Sequence, residues 1–336
     1  MAVHAIAPAS GQIKRKVKKY GRWTPYLLIL PAVFFEILIH FLPMLFGLWI
    51  SLVSLTRNTM NNWTSAPWNN FDNYKNSLFP SSVFSGPLFV SLGVTCLFTV
   101  VVVGLSWLTG MAAAVALQRP LFGRSVFRTI FLIPYALPMF AGILVFNFMF
   151  GPNGAVNHLL ITDLHLTGLL KALGLINQFQ IDNGGVAYWL ASADSKNAFI
   201  ALVVATVWRS WPFCFLMLMA GLQSIPNDIY EAGELDGAGW FRQWRSLTLP
   251  MLGSVNKVLI LVECLWTFND FNGPNILFGS NQPSAGGDII AYHIYNATFV
   301  GAHYGLGAAM STMLLVILLI FSGIFLLITN RKDSDA

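Results

Sequence analysis

The sequence predicts an all-α integral membrane protein with six transmembrane helices. Two observations carry that prediction. The chain has 336 residues and is 56% hydrophobic, yet Asp, Glu, Lys and Arg make up only 10% of it. A soluble domain carries about 25% of these charged residues, so a chain so poor in charge needs lipid as part of its solvent. The second observation is length: six apolar stretches each suit the helix of about 20 residues that crosses a hydrocarbon core.

The first stretch covers residues 26–52 and the second 88–117. The third is 130–150, the fourth 198–222, the fifth 255–277 and the sixth 306–329. The second, third and sixth contain no charge, which sets them apart from a buried soluble helix. The first contains Glu36 and His40, the fourth Arg209, and the fifth Lys257, Glu263 and Asp270.

Charge placement gives an orientation. Lys14, Arg15, Lys16, Lys18, Lys19 and Arg22 crowd the stretch before the first span. With that end in the cytoplasm, the inner segments also hold Arg119, Arg124, Arg128, Arg242, Arg245, Lys257, Arg331 and Lys332. The outer loops hold only Arg57, Lys75, Lys171 and Lys196. Basic residues favour the cytoplasmic side, and an even number of spans puts both termini there. The net charge of +5 could mean nucleic acid, but its position before an apolar run reads as a topology signal. It is not a secretory signal, because the apolar run is too long and no small-residue cleavage site follows.

The organisation that follows is a basic cytoplasmic tail over 1–24, a membrane domain over 25–330 and a short cytoplasmic tail over 331–336. The outer loops are 53–87, 151–197 and 278–305. In the first of them Trp63, Trp68, Phe71 and Tyr74 stand among Asn, Ser and Pro. These aromatic residues read either as interfacial packing or as a docking surface for an extracytoplasmic partner. The second allows a short amphipathic helix over 157–173. Cys96, Cys214 and Cys264 all lie in apolar runs without metal-ligand spacing, so they read as packing residues.

The long inner loop, 223–250, is the most informative stretch. Ser224 and Pro226 look like a helix start, since Pro is tolerated in a first turn. Asp228, Glu231 and Glu234 follow where the helix dipole favours negative charge. Gly237 suits a helix stop. A second short helix over 240–247 would end before Pro250. Two short helices thus meet at a corner of small residues, Ala232, Gly233, Gly237 and Ala238, which lets another backbone come close. The elbow reads as a docking knob, with an inert amphipathic linker as the alternative.

Glu231-Ala-Gly-x-x-Asp-Gly-Ala followed by Leu247-x-Leu-Pro250 resembles the EAA signature of permease subunits of binding-protein-dependent ABC importers. Gln223-Ser-Ile-Pro-x-x-x-Tyr-Glu-Ala also fits, as do Phe71-Asp-Asn-Tyr74 and Trp266-Thr-Phe-Asn-Asp-Phe271. Together these motifs reach from the first span to the last. The pattern is most similar to the sugar subfamily, in particular the maltose-permease-like first subunit. Two positions depart from it: Gly233 replaces the second Ala, and Gly279-Ser-Asn-Gln-Pro283 replaces a common Gly-Gly-Pro.

The resemblance implies a type I ABC importer permease fold in a bacterial or archaeal cell membrane. It implies that Glu231, Ala232, Gly233, Asp236, Gly237, Leu249 and Pro250 form the coupling surface for a cytoplasmic ABC ATPase dimer. Glu231 would make the polar contact and Gly237 would permit the turn. It also implies a second homologous permease and an extracytoplasmic solute-binding protein as partners, with ATP and magnesium bound by the ATPase and no cofactor in this chain. Thr206, Arg209, Ser210, Phe213, Thr267 and Asp270 fall at its sugar-contacting positions.

Chemistry agrees with those positions. An ionisable group in a span is costly and faces a cavity or a partner, which singles out Arg209, Glu263 and Asp270. Sugars need hydroxyl-bonding groups and aromatic faces, and Trp208, Trp211 and Trp266 could supply the faces. The alternative is a structural Arg209–Asp270 pair across two helices. Glu36 and His40, one turn apart, read as a packed polar pair, with a proton relay as the alternative.

Other function classes are weighed by what is missing. No Gly-x-x-x-x-Gly-Lys-Ser/Thr loop is present to cradle ATP phosphates. No His-Glu-x-x-His or Gly-x-Ser-x-Gly motif points to a membrane enzyme. A proton-driven carrier using Glu36, His40 or Glu263 remains as the runner-up, but it has no ATPase for the elbow to dock.

Overall fold

The computed structural model describes residues 23–79, 88–118, 122–182, 186–190, 195–279 and 286–334. The basic residues from Lys14 to Arg22, Arg119 and the 280–283 departure lie outside the described residues, as do the side chains of Arg331 and Lys332. Every regular element among the described residues is helical, apart from an isolated antiparallel bridge between Val53 and Trp68. The chain forms two compact units, Met1–Gly47 and Leu48–Ala336.

In the first unit, the first span, Thr24–Ser51, starts its run. A π turn over Ile37–Phe41 interrupts it just before Pro43. A proline ring presses on the carbonyl four residues back, here Ile39, and the widened turn accommodates it. The side chains from Tyr26 to Phe46 are all exposed within the chain. A helix that is apolar all round needs lipid or a neighbour to cover it. Glu36 and His40 do pair, at 3.3 Å, and both side chains are more than half exposed.

In the second unit, the second span, Leu88–Ala116, and the fourth, Ser195–Gln223, form the central pair. Phe98 and Val102 pack with Ala198, Ala201, Leu202 and Ala205 toward one end. Met111 and Ala114 pack with Cys214, Phe215 and Leu218 toward the other. The small residues on the fourth span let the two backbones approach, as membrane helix pairs require. The sixth span is the single helix Tyr304–Ser334.

Two expected spans are not continuous. The third consists of Arg124–Ala136 and Met139–Met149, bent by 87°. Leu137 precedes Pro138 and is forced extended, with ψ 141°, because the proline ring excludes the helical region for the residue before it. The fifth helix ends at Phe268, well short of residue 277. A separate helix, Asn272–Phe278, takes over after the break. Asp270 Oδ1 accepts the Gly273 N–H at 3.0 Å, satisfying one of the amides that a new helix leaves free.

Two shorter expectations also change. The helix expected over 157–173 is broken: a π segment His158–Asp163 is followed by Thr167–Ala172, with His165 at φ 53° between them. The segment from Trp240 does not stop before Pro250. It runs on through a π turn, Trp244–Thr248, into Leu249–Met251, the same widening that precedes Pro43.

At the end of the bundle far from the elbow, Asn157 organises a compact cap. Its amide donates to the Pro152 and Ala187 carbonyls at 3.0 and 2.9 Å, and its oxygen accepts the buried Trp189 indole N–H at 3.0 Å. The Phe71-Asp-Asn-Tyr74 motif is structural in the same way. Asn73 donates to the Ser51 and Val53 carbonyls, both at 2.9 Å, and Tyr74 OH lies 2.7 Å from Ser51 Oγ.

Candidate functional site

The elbow helix is Asn227–Leu235, entered through Pro226 in an extended conformation. Its C-terminus closes with paired backbone bonds. The Ala238 N–H donates to the Gly233 carbonyl at 2.9 Å and the Gly237 N–H to the Glu234 carbonyl at 3.0 Å. This is the Schellman arrangement, which needs a left-handed residue just past the helix, and Gly237 supplies it with φ 76°. The chain then reverses into Trp240–Gln243. Gln243 Nε2 donates to the Ala238 carbonyl at 3.0 Å, and Tyr230 OH meets Thr248 Oγ1 at 3.1 Å, so both arms brace the corner.

Glu231, Ala232, Asp236 and Gly237 are exposed on this elbow, while Gly233 is half-buried under Leu247. Leu235, Trp240 and Phe241 are also exposed, Leu235 by 90%. These apolar side chains border the acidic ones on a rigid projection. Leu249 turns inward against the Leu218–Leu252 cluster, whereas Pro250 is exposed. The fifth span, which follows the elbow, is tied to its neighbours near its start. Trp107 on the second span donates to Asn256 Oδ1 at 2.9 Å, and Lys257 Nζ donates to the Thr329 carbonyl of the sixth span at 3.1 Å.

The second feature is a cleft of about 260 Å³ between the third, fourth and fifth spans. Arg209, Ser210 and Phe213 come from the fourth span, and Glu263, Trp266, Thr267 and Asp270 from the fifth. Glu263, Thr267 and Asp270 recur at helical spacing, so the fifth span turns one polar face toward the cleft and stops at its end. Arg209 Nη2 stands 3.8 Å from Asp270 Oδ2. Arg209 Nη1 also reaches Met139 Sδ at 3.6 Å. Arg209 Nε and Asp270 Oδ2 are both enclosed and have no hydrogen-bond partner. Tyr135, Phe213 and Trp266 form an aromatic strip along one wall, with successive centroids 5.9 and 5.0 Å apart.

Five of the six expected substrate residues thus come together; Thr206 does not. It is buried and does not line the cleft. Of the three tryptophans, only Trp266 faces the cleft. Trp208 packs on Phe146 and Trp211 on Phe131 and Phe215, so both are core residues. Sequence reasoning missed Tyr135, Met139, Asn269 and Asn272. The asparagines sit in the polar run that flanks Asp270, a readable signal. Tyr135 and Met139 arrive only through the bend at Pro138.

Residues 106–334 match the family model described as the inner membrane component of binding-protein-dependent transport systems. The chain belongs to that family. The match includes the elbow and every residue of the cleft. The trehalose/maltose transport system permease protein MalF of Thermococcus litoralis is 30% identical over 327 residues, covering 96% of this chain and 98% of that one. The sn-glycerol-3-phosphate transport system permease protein UgpA of Agrobacterium fabrum is 28% identical over 297 residues, covering 88% and 90%. The fold resembles a crystal structure of a bacterial ABC transporter involved in the import of the acidic polysaccharide alginate. The TM-score is 0.66 at 20% identity, covering 92% of this chain and 96% of that one.

Proposed function

We propose that this family member is the permease subunit of an ATP-driven importer that moves a sugar or related solute into the cytoplasm. The observation that carries the reading is the elbow. A braced helical corner with acidic and apolar side chains exposed side by side suits a groove on another protein. ATP hydrolysis then belongs to that partner, an ABC ATPase dimer, and the elbow lies on the cytoplasmic side with both termini. The basic residues Arg242 and Arg245 lie on the second arm of the elbow, Lys257 follows it, and Arg124 lines a cleft with Pro226 and Asn227, in keeping with the orientation.

In this reading Glu231, Asp236, Leu235 and Trp240 contact the ATPase, with Gly237 holding the corner. Motion of the ATPase reaches the fifth span through Trp240–Met251, which meets Gly253–Phe268 at 72°. The fifth helix carries Glu263, Trp266 and Thr267 on the cleft and ends at Phe268, two residues before Asp270, so a tilt of this helix alters the cleft directly. A second homologous permease completes the channel, and a solute-binding protein delivers cargo to the opposite face.

The test is purification of the tagged chain from its native membrane in mild detergent, with mass spectrometry of what accompanies it. An ATPase chain and a second permease are expected, and Glu231→Ala should reduce the ATPase recovered. Recovery of the chain alone, under conditions that keep other membrane complexes intact, sinks the proposal.

A further inference from the structure

Two cations near the elbow stand apart from the rest. Every other described lysine or arginine is exposed or, like Arg209 and Lys257, has a polar partner. Arg124 and Arg128 are half-buried, yet among the described residues neither side chain has a hydrogen bond or ion pair. In each, Nε is enclosed, whereas the terminal nitrogens are not, so the ends of both guanidinium groups remain open to a ligand. A partly dehydrated charge without a counter-charge is costly.

Their placement is not that of basic residues that merely mark a topology. They lie one turn apart on Arg124–Ala136, in line with Phe131, which packs on Trp211 and Phe215. Helical spacing therefore turns them toward the bundle. The outer face of the same helix exposes Val126, Phe127, Ile130 and Ile133.

Arg124 lines a cleft of about 440 Å³ with the amide side chains of Gln118, Gln223 and Asn227 and no carboxyl group. The adjoining cleft shares Gln118 and Asn227 and carries one carboxyl group, Glu234, which leaves both arginines unpaired. The second span ends at Ala116, the third begins at Arg124 and the fourth ends at Gln223. The cleft thus opens where the apolar runs stop, at the depth of lipid headgroups.

A phosphodiester suits these groups. Guanidinium binds phosphate oxygens through two parallel hydrogen bonds, and the amides can donate to the oxygens that remain. Basic pockets between membrane helices take lipid headgroups in this way. A free phosphate would use the polar groups but leave the apolar outer face of the helix bare. We infer that Arg124 and Arg128 bind the headgroup phosphate of an anionic phospholipid, whose chains lie along Phe127 and Ile130. Pro226 and Asn227, at the entry to the elbow, line the same cleft, so the bound lipid joins the elbow to the third span. This site is separate from the import reading and does not depend on it.

The test is scanning fluorimetry of the tagged chain, purified with the subunits that accompany it and stripped of lipid by detergent exchange. Phosphatidylglycerol, phosphatidylcholine and inorganic phosphate are titrated separately. Phosphatidylglycerol should raise the thermal transition in a saturable way, and the other two should not. In Arg124→Gln with Arg128→Gln, the phosphatidylglycerol concentration giving half the shift should rise by about tenfold, as loss of a charge-assisted hydrogen bond predicts. Arg242→Gln with Arg245→Gln removes the same charge from exposed positions and should leave that concentration unchanged. Arg124→Gln alone provides a milder variant should the pair fail to fold. An equal response to phosphatidylcholine, or an unchanged half-shift concentration in the folded Arg124 variant, overturns the inference. A response to inorganic phosphate equal to that for phosphatidylglycerol would assign the arginines to a free anion and overturn the lipid.

Discussion

Gly110 on the second span lies directly against Cys214 on the fourth. A methyl group added at Gly110 would stand 2.7 Å from Cys214 Cβ and 2.8 Å from the Phe215 amide nitrogen. Neither atom belongs to the far end of a flexible side chain, so the helices themselves must separate. Overpacking of this kind costs about 1–3 kcal/mol. Gly110→Ala is expected to lower the thermal transition of the purified protein, and Gly110→Val to lower it further. Scanning fluorimetry of the complex in detergent measures both, and an unchanged transition for Gly110→Val would mean the helices do not cross this closely.

Gly237 controls the elbow differently. Its φ of 76° is a backbone state that a Cβ disfavours, by roughly 1–2 kcal/mol. Space is not the difficulty, since nothing lies within 4 Å of an added Cβ. Gly237→Ala should therefore reduce transport-linked ATPase activity while the chain still inserts and its spans still pack. Gly237→Asn should be milder, because Asn tolerates the left-handed region better than other residues. Equal losses for the two variants would point to side-chain bulk at the interface instead of backbone strain.

The sequence made much of this legible, and the residues show why. Apolar length located the spans because each crossing must satisfy its own backbone bonds. The elbow was readable because capping chemistry is local: Pro226 and Gly237 do their work within a turn of where they stand. Five cleft residues were readable because charge and hydroxyl groups are conspicuous in an apolar run. What stayed hidden depends on contacts distant in sequence. Nothing local distinguishes Trp266, which faces the cleft, from Trp208, which packs on Phe146. Thr206 falls on the Arg209 side of the fourth span but is covered by its neighbours. The bend at Pro138 could be suspected from the proline, but its angle and the delivery of Tyr135 to the cleft could not.

The cap around Asn157 gives a third prediction. Trp189→Phe keeps the ring packed against Phe150 and removes the indole N–H. Asn157 Oδ1 then loses its donor within a buried site, at a cost of about 1–3 kcal/mol. Asn157→Leu should cost more, since it also strands the Pro152 and Ala187 carbonyls. Limited proteolysis of proteoliposomes should cut within residues 151–190 faster in both variants, with the leucine variant ahead. Resistance equal to the parent in both would mean that packing alone holds the cap.

A last prediction concerns how the segment between the fifth and sixth spans is tied to the second. Asp288 Oδ2 accepts a hydrogen bond from Ser91 Oγ at 2.8 Å and lies 2.8 Å from His293 Nδ1. Beside it, the Ile290 N–H donates to Thr95 Oγ1 at 2.8 Å, while Thr95 donates to the Ser91 carbonyl at 2.6 Å. The start of the helix Ile290–Tyr295 is thus bound to one helical face of the second span by a carboxylate and an amide. Asp288→Ala leaves both Ser91 and His293 without their acceptor, whereas Ser91→Ala removes one neutral donor and leaves Asp288 with His293. Each hydrogen bond to the Asp288 carboxylate contributes about 1.5–3 kcal/mol, and the aspartate variant loses two of them while the serine variant loses one. The aspartate variant should therefore lower the thermal transition clearly more than the serine variant. Thr95→Val should resemble Asp288→Ala in kind, because it strands the Ile290 amide inside the protein. Hydrogen exchange at Ile290 separates the two ties: it should rise strongly in Thr95→Val and only modestly in Ser91→Ala. Equal exchange in the two variants would show that the segment opens as one unit, with neither tie holding it alone.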